Sequence, residues 1–216
     1  MSRHHNPLLR PVARCAALGL LAIAGCNIVP PAQEDTTRYF VLSDAGLPPV
    51  APGQAPAAGT LRIGLRTVRL EGYLKGRQMI VRNGANEVRF EDFRRWAEPL
   101  DTAITRIVRS RLVASPGVAQ VYAEPFPFDQ ERDYDVSIEV SRFEGAVDAN
   151  GKFVASLAAT IEISTTGANS RVVSRRGFEA PVRGWDGADF DHLAELLNSG
   201  VAALSQEVAS ELPAKP

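Results

Sequence analysis

Cysteine and histidine are scarce in this sequence, and their scarcity excludes several kinds of chemistry. Among 216 residues there are two cysteines, Cys15 and Cys26, and three histidines, His4, His5 and His192. Disulfide-rich scaffolds and zinc sites need more of these side chains, at closer spacing. Long apolar runs are also lacking, because the run Cys15–Ala24 has ten residues and a transmembrane helix needs roughly 20.

The first 26 residues have the pattern of an export signal. Three arginines and no acid occur in Met1–Arg14, the apolar run follows, and small residues precede Cys26. The sequence Ile23-Ala24-Gly25-Cys26 resembles the bacterial lipobox. That resemblance implies loss of residues 1–25 and acylation of Cys26 on its sulfur and its amine, which anchors a protein almost irreversibly. The alternative is an ordinary signal peptide in which Cys26 is incidental.

Removal of this signal would leave fewer side chains that could take part in catalysis or bind a metal. The formal charge of −1 becomes −4 for residues 26–216, because three arginines leave. With Cys26 lipidated and His192 the only imidazole, the mature chain has no disulfide, thiol nucleophile or thiolate metal site. No cofactor and no metal are expected. A nucleophile–base pair would have to use His192, which the pattern places on a solvated helix face.

Composition predicts one domain with short irregular additions. Residues 26–37, with Pro30-Pro31, are expected to be a lipidated tether, and residues 38–212 a single domain. Residues 47–59 are almost only proline, alanine, glycine and valine, which predicts a flexible loop within that domain. Residues 213–216 are expected to be a disordered tail.

Hydrophobic periodicity predicts an α+β fold. Alternation of apolar and polar residues indicates strands at Tyr39–Leu42, Thr60–Val68, Met79–Arg82, Glu87–Phe90, Val118–Tyr122, Tyr134–Ser141, Phe153–Ser164 and Val172–Val182. Helical spacing follows Pro99 and recurs from Phe190 to Val208. We therefore expect a largely antiparallel sheet with two amphipathic helices packed on one face.

The stretch Gln78–Leu100 combines several of these signals. Asn83-Gly84 between two strands is a strong hairpin signal, because both residues tolerate the positive φ of tight turns. Pro99 suits the first position of a helix, which needs no N–H. Trp96, just before it, is expected to be a buried anchor under the first helical turn.

Few other residues indicate a binding site. The carboxylate pairs Glu91-Asp92 and Asp189 with Asp191 suit helix starts more than catalysis. Arg94 and Arg95 are candidates for contact with anionic headgroups or an acidic partner, although solvated positions explain them as well. Trp185, in a loop between Gly184 and Asp186, is the other candidate interface residue. Nucleic acid is excluded as a partner, since the exported chain is net acidic and has no basic stripe.

Three elements together carry a resemblance to a known family. They are Tyr39-Phe40-Val41-Leu42, Tyr73-Leu74 with Gln78-Met79-Ile80-Val81-Arg82, and Arg95-Trp96-Ala97-Glu98-Pro99-Leu100 before an amphipathic helix. With the lipobox, this combination resembles the ABC-type transport auxiliary lipoproteins, the PqiC-like or YmbA-like proteins. The similarity runs from about Thr37 to the last helix. Glu71 after Leu70, and Gly76-Arg77 before Gln78, depart from the usual family pattern.

The resemblance implies a non-enzymatic accessory role in lipid transport between the two membranes of the envelope. It implies a periplasmic or inner-membrane MCE-domain protein as partner, with a homo-oligomer as a further option. The residue after Cys26 is Asn27, not the aspartate that retains enterobacterial lipoproteins in the inner membrane, which favours the periplasmic face of the outer membrane. Two alternatives stay open: a structural lipoprotein of outer-membrane assembly, and an anchored envelope hydrolase.

Overall fold

The computed structural model describes residues 34–43 and 59–213. The predicted signal peptide, Cys26, most of the tether, nearly all of the loop 47–59, and residues 214–216 lie outside these ranges. From Thr37 onwards the chain forms one compact unit. Its strands are β1 (Arg38–Phe40), β2 (Leu61–Leu65), β3 (Arg69–Leu70), β4 (Gln78–Asn83), β5 (Glu87–Trp96), β6 (Val118–Ala123), β7 (Tyr134–Val147), β8 (Phe153–Thr165), β9 (Val172–Glu179) and β10 (Arg183–Gly184). Its helices are α1 (Leu100–Val113) and α2 (Phe190–Glu211), with a 3-10 helix at Gly72–Lys75.

Strand β7 is the centre of the sheet. Along one edge it pairs with β8 in an antiparallel ladder that spans both strands, and β9 and β10 pair with the far side of β8. Along its other edge β7 pairs in turn with β2, β3 and β4, all parallel to it. Beyond them, β6 joins β2 and β5 joins β4, and β1 joins β5. Strand β7, with 14 residues, is thus long enough to pair with three short strands along one edge.

The α+β prediction is confirmed, as is the antiparallel meander from β7 to β9. The sheet is more mixed than the sequence indicated, because five of the nine pairings between described strands are parallel. Those five ladders are short, so the longest pairings remain antiparallel. Parallel neighbours are distant in sequence, and local alternation carries no information about which of them pair.

Both helices pack against the sheet and against each other. In α1 the buried side chains recur three and four residues apart and form one stripe: Leu100, Ala103, Ile104, Ile107, Val108 and Leu112. Helix α2 begins at Phe190, after Asp189, whose carboxylate accepts hydrogen bonds from the backbone N–H groups of Asp191 and His192. Between helices and sheet lies the core, to which β7 contributes Val136, Ile138, Val140 and Phe143, with less than 2% of each exposed.

The hairpin between β4 and β5 differs in detail from the predicted tight turn. Asn83 pairs with Glu87, so the loop is Gly84–Asn86, and only Gly84, at φ +72°, has a positive φ. Strand β5 also continues to Trp96, six residues beyond the predicted end at Phe90. Residues 91–96 are mostly charged and do not alternate with apolar residues. They nevertheless form a strand, and β1 pairs with the last three of them. Pro99 precedes the first helical residue, Leu100, by one position.

Candidate functional site

His192, the imidazole on which a nucleophile–base pair would depend, is exposed at the start of α2. Its backbone N–H, 3.3 Å from a carboxylate oxygen of Asp189, is engaged in capping the helix. Within residues 34–43 and 59–213, no three histidine, cysteine or carboxylate side chains come together in a way that could hold a metal ion.

The carboxylates that the sequence pairs are engaged in structural contacts. Asp189 caps α2, and Asp191 lies 2.6 Å from the guanidinium of Arg38 on β1. Glu91 lies 2.8 Å from Nε of Arg89 on the same strand. Asp189 and Asp191 therefore lie at a helix start, as the sequence indicated. Glu91 and Asp92 instead lie within β5, so the prediction that they belong to a helix start is wrong.

Trp185, the other candidate interface residue, is buried, so little of it is available to a partner. Only 6% of the residue is accessible. Its ring makes edge-to-face contacts with Phe153 and Phe190, at centroid distances of 5.7 and 5.2 Å. Its indole N–H donates to the Asp189 carbonyl at 2.6 Å. The space for the ring comes from Gly145 on β7, where a Cβ atom would lie 2.6 Å from the indole ring. The position of Trp185 in a loop of the sequence does not indicate that Gly145 leaves this space.

Trp96 is buried as predicted. Only 3% of it is exposed, and its ring packs edge-to-face on Phe143 at 5.6 Å. The backbone N–H of Trp96 donates to the carbonyl of Arg77, at 2.7 Å. Trp96 therefore belongs to the face of the sheet that the helices cover.

Arg94 and Arg95 point to opposite sides of β5. Arg94 stands beside Arg38 in the β1–β5 register, and its guanidinium lies over the Phe190 ring at 5.8 Å, on the helix side. Arg95 stands beside Tyr39, on the other side, and its Nε donates to the Asp92 carbonyl at 3.2 Å. Among the described residues neither arginine forms an ion pair with a carboxylate. As interface residues they remain a proposal, and they cannot act as one cluster.

A buried charged network was not predicted from the sequence. It lies on the face of the sheet opposite α1 and α2. Glu144 of β7 has a fully buried side chain, and one of its oxygens accepts a short hydrogen bond from Nε of Arg82 on β4. The guanidinium of Arg82 also lies over the Tyr73 ring at 5.4 Å and donates to the carbonyl of Ala85 at 3.2 Å. The Tyr73 hydroxyl donates to the Ser141 carbonyl at 2.9 Å. The other oxygen of Glu144 has no hydrogen-bond partner within the described chain.

This network ties together the 3-10 helix, β4 and β7. A buried carboxylate is tolerated only when a cation or several donors compensate it, and Arg82 does so here. Burial, together with the nearby Glu144 carboxylate, raises the pKa of the Tyr73 hydroxyl above its ordinary value. The hydrogen bond to Glu144 raises the pKa of the Arg82 guanidinium further, so this arginine stays charged. The only advance signal was that Tyr73 and Arg82 both belong to the elements that carried the family resemblance.

A groove of about 740 Å³ lies beside residues 66–68. This segment separates β2 from β3, two of the short strands that pair with β7. Four of its charged side chains are paired, Arg66 with Glu124 at 3.4 Å and Arg69 with Glu139 at 3.3 Å, and Lys75 and Asp101 line the groove as well. Backbone N–H groups of this segment are also satisfied, that of Val68 by the Thr105 hydroxyl at 3.0 Å. The groove is thus a consequence of the strand break, and the residues that line it include no histidine or cysteine.

Four exposed apolar side chains gather at the β1 end of the sheet. They are Tyr39, Val41, Phe90 and Phe93, and we call this set the β1–β5 patch. Each is between 43% and 59% exposed. Together they account for four of the nine large hydrophobic side chains that are exposed in the described ranges. The sequence places Phe90 and Phe93 in polar surroundings. The pairing of β1 with β5 puts Tyr39 beside Arg95, two residues after Phe93, and Phe90 lies further along the same strand.

The comparisons with known proteins place this arrangement in context. The family model of the ABC-type transport auxiliary lipoprotein component matches residues 40–209. Protein XCC0632 from Xanthomonas campestris has a similar structure, with a TM-score of 0.65 and 17% identity, over 80% of this chain and 93% of that one. A second crystal structure, of an uncharacterised protein, gives a TM-score of 0.62 at 18% identity, over 82% and 99% of the two chains. No curated protein sequence matches the chain.

At these identities the two structures support the fold alone. For the ranges that the structure describes, neither helix has the length and apolar character needed to cross a bilayer.

Proposed function

Because the chain belongs to the family of ABC-type transport auxiliary lipoprotein components, we propose that it is a non-enzymatic accessory lipoprotein of an MCE-type lipid transport system. In this proposal acyl chains on Cys26 hold it at the periplasmic face of the outer membrane. There it docks the periplasmic MCE-domain component and so connects the transporter to the membrane. The observation that carries the proposal is the family match over residues 40–209, which takes in nearly the whole described fold.

The geometry of the domain supports docking over chemistry. In the groove Arg66 and Arg69 are paired with carboxylates, and the fully buried Glu144 side chain is paired with Arg82. The buried pair links β4 to β7 and so helps to hold this part of the surface in one shape. A rigid surface on a short tether is what an adaptor needs, because preorganisation lowers the cost of binding.

Co-purification tests the proposal. We expect that the chain, solubilised from envelope in mild detergent and captured through a C-terminal tag, brings down an MCE-domain protein. The Cys26→Ala variant controls for anchoring: it should lose lipidation, leave the membrane fraction after a salt wash, and recover far less partner. Size-exclusion chromatography with light scattering on the same sample measures whether a second copy of the chain accompanies the first.

Three outcomes would contradict the proposal. Recovery of outer-membrane assembly proteins without any transport component would favour a structural lipoprotein. Turnover of ester, glycan or peptide substrates by the purified protein would favour an envelope hydrolase. Full retention of Cys26→Ala in the washed membrane would refute the anchor.

A further inference from the structure

We propose that the β1–β5 patch rests on the surface of an anionic lipid bilayer, so that the domain contacts the membrane directly as well as through its anchor. This inference rests on the lipid anchor of the proposed function. The patch residues Tyr39, Val41, Phe90 and Phe93 are set out above, and their orientation follows from the strand register.

The register places most of the patch on one face of the sheet. Phe40 and Trp96 are paired and buried on the helix side, so their neighbours Tyr39 and Arg95 point to the opposite side. In the antiparallel β4–β5 ladder, Gln78 pairs with Arg95 and Ile80 with Phe90. Residues two apart on β4 share a face, which puts Phe90 on the same side as Tyr39 and Arg95.

Phe93 and Val41 extend this face towards the sheet edge. Between the pairs Gln78–Arg95 and Met79–Glu91, strand β5 contains three residues, Asp92–Arg94, with no partner on β4. This bulge presents Phe93, which is 55% exposed. Val41, two residues after Tyr39, is 59% exposed. In the strand order of the described sheet β1 is terminal, so no further described strand pairs with its outer edge.

Two arginines without described carboxylate partners lie at the patch, and the acids of this part of β5 are Glu91, which is paired with Arg89, and Asp92. Arg95 lies within the patch, and Arg77 is exposed beside it, with its guanidinium 3.3 Å from the Ala97 carbonyl. Neither is paired with a carboxylate among the described residues, whereas the one acid of the bulge is Asp92. Aromatic rings beside unpaired arginines match the interface of an anionic bilayer, where rings sit at headgroup depth and guanidinium groups meet phosphates. A protein partner would instead have to present its own acidic side chains to these arginines, around an apolar centre that covers the rings.

The position of the patch in the chain also favours the membrane. Tyr39 lies 13 residues after Cys26. Thirteen residues reach at most about 45 Å when fully extended, so the anchor of the proposed function keeps β1 within that distance of the bilayer. Strand β1 is the part of the sheet that follows the anchor most closely along the chain. The opposite edge, β9, lies five strands away, at roughly 24 Å for strand spacings of about 4.8 Å.

Site-directed fluorescence in the lipidated protein tests this. The sequence has no cysteine after Cys26, so a single introduced cysteine is the only free thiol in the acylated chain. Phe93→Cys and Tyr39→Cys report on the patch. Val173→Cys is the matched control, because Val173 is 43% exposed and lies in a bulge on the opposite edge strand, β9. Each variant is labelled with a polarity-sensitive fluorophore and reconstituted into phosphatidylethanolamine–phosphatidylglycerol vesicles.

We expect the labels at positions 39 and 93 to shift to shorter wavelength on reconstitution and to be quenched by nitroxide lipids, while the label at 173 does neither. Replacing phosphatidylglycerol by phosphatidylcholine should reduce both effects, and Arg95→Gln should abolish that difference between the vesicles. Equal, water-like emission at positions 39, 93 and 173 would overturn the inference. A shift at 93 that needs added MCE-domain protein would also overturn it and identify the patch as a protein interface.

Failure of the anchor gives a different result. In that case the wild-type chain would itself react with the thiol label at Cys26 and would not enter the vesicles. A chain that is anchored but has water-like labels in the patch thus refutes only the contact.

Discussion

The buried pair between Arg82 and Glu144 makes the strongest stability prediction. The Glu144 side chain is 0% exposed and that of Arg82 is 21% exposed. Removing the guanidinium therefore leaves a buried carboxylate without its compensating charge. Breaking a buried pair on one side costs about 3–5 kcal/mol. For a domain of this size we expect Arg82→Met to lower the melting temperature by on the order of 10 °C. Thermal and urea unfolding, followed by circular dichroism, measure both quantities.

The neighbouring strand β3 offers a matched control. Arg69 pairs with Glu139 at 3.3 Å, beside the same strand β7, but these side chains are 70% and 47% exposed. Exposed pairs contribute about 0–1 kcal/mol, so Arg69→Met should cost little. The double variant Arg82→Met with Glu144→Met should lose less stability than the two single variants together, because no charge is left buried. If Arg82→Met costs no more than Arg69→Met, the assignment of a compensating role to Arg82 is incorrect.

Two further predictions concern packing and pH. Gly145→Ala should destabilise the fold by about 1–3 kcal/mol, because the new Cβ would lie 2.6 Å from the Trp185 ring. Gly177→Ala, on strand β9 with no atom within 4 Å of the new Cβ, should be neutral or slightly stabilising in the same urea titration; equal losses would contradict the close contact. Hydrogen bonds from the backbone N–H groups of Asp189 and Ala188 lower the pKa of Asp186, so its contribution to stability is present above the ordinary aspartate range and is lost as pH falls through the lowered value. Asp186→Asn should therefore flatten the loss of stability below about pH 4, and an unchanged pH profile would argue against these hydrogen bonds.

Features with a local physical cause were predictable from the sequence. Alternation from Tyr134 to Ser164 gave the long antiparallel pair β7–β8, because side-chain period 2 and a short turn are both local properties. The two amphipathic helices followed from apolar spacing in the same way. Burial of Trp96 was predicted from its place before Pro99 and is confirmed.

Features that depend on distant partners were not predictable. Strand β5 runs to Trp96 because its end pairs with β1, which is distant in the sequence, and because Arg95 also pairs with Gln78 of β4. Trp185 looked exposed in its loop, yet Gly145, 40 residues earlier, leaves the space that buries it. Arg82 and Glu144 are 62 residues apart, and a strand pattern cannot show that two charges on separate strands meet beneath the surface.

The sequence by itself thus determined the residue classes and the family: few thiols and imidazoles, a lipobox-like Cys26, and an α+β pattern with the elements around Trp96. Only the tertiary structure decided which side chains face outward together. It separated Arg94 from Arg95, buried Trp185, and assembled Tyr39 with Phe93 into an exposed patch. The physical reason is that local propensity sets the period of each strand, whereas pairing and register, which depend on the whole core, set its neighbours.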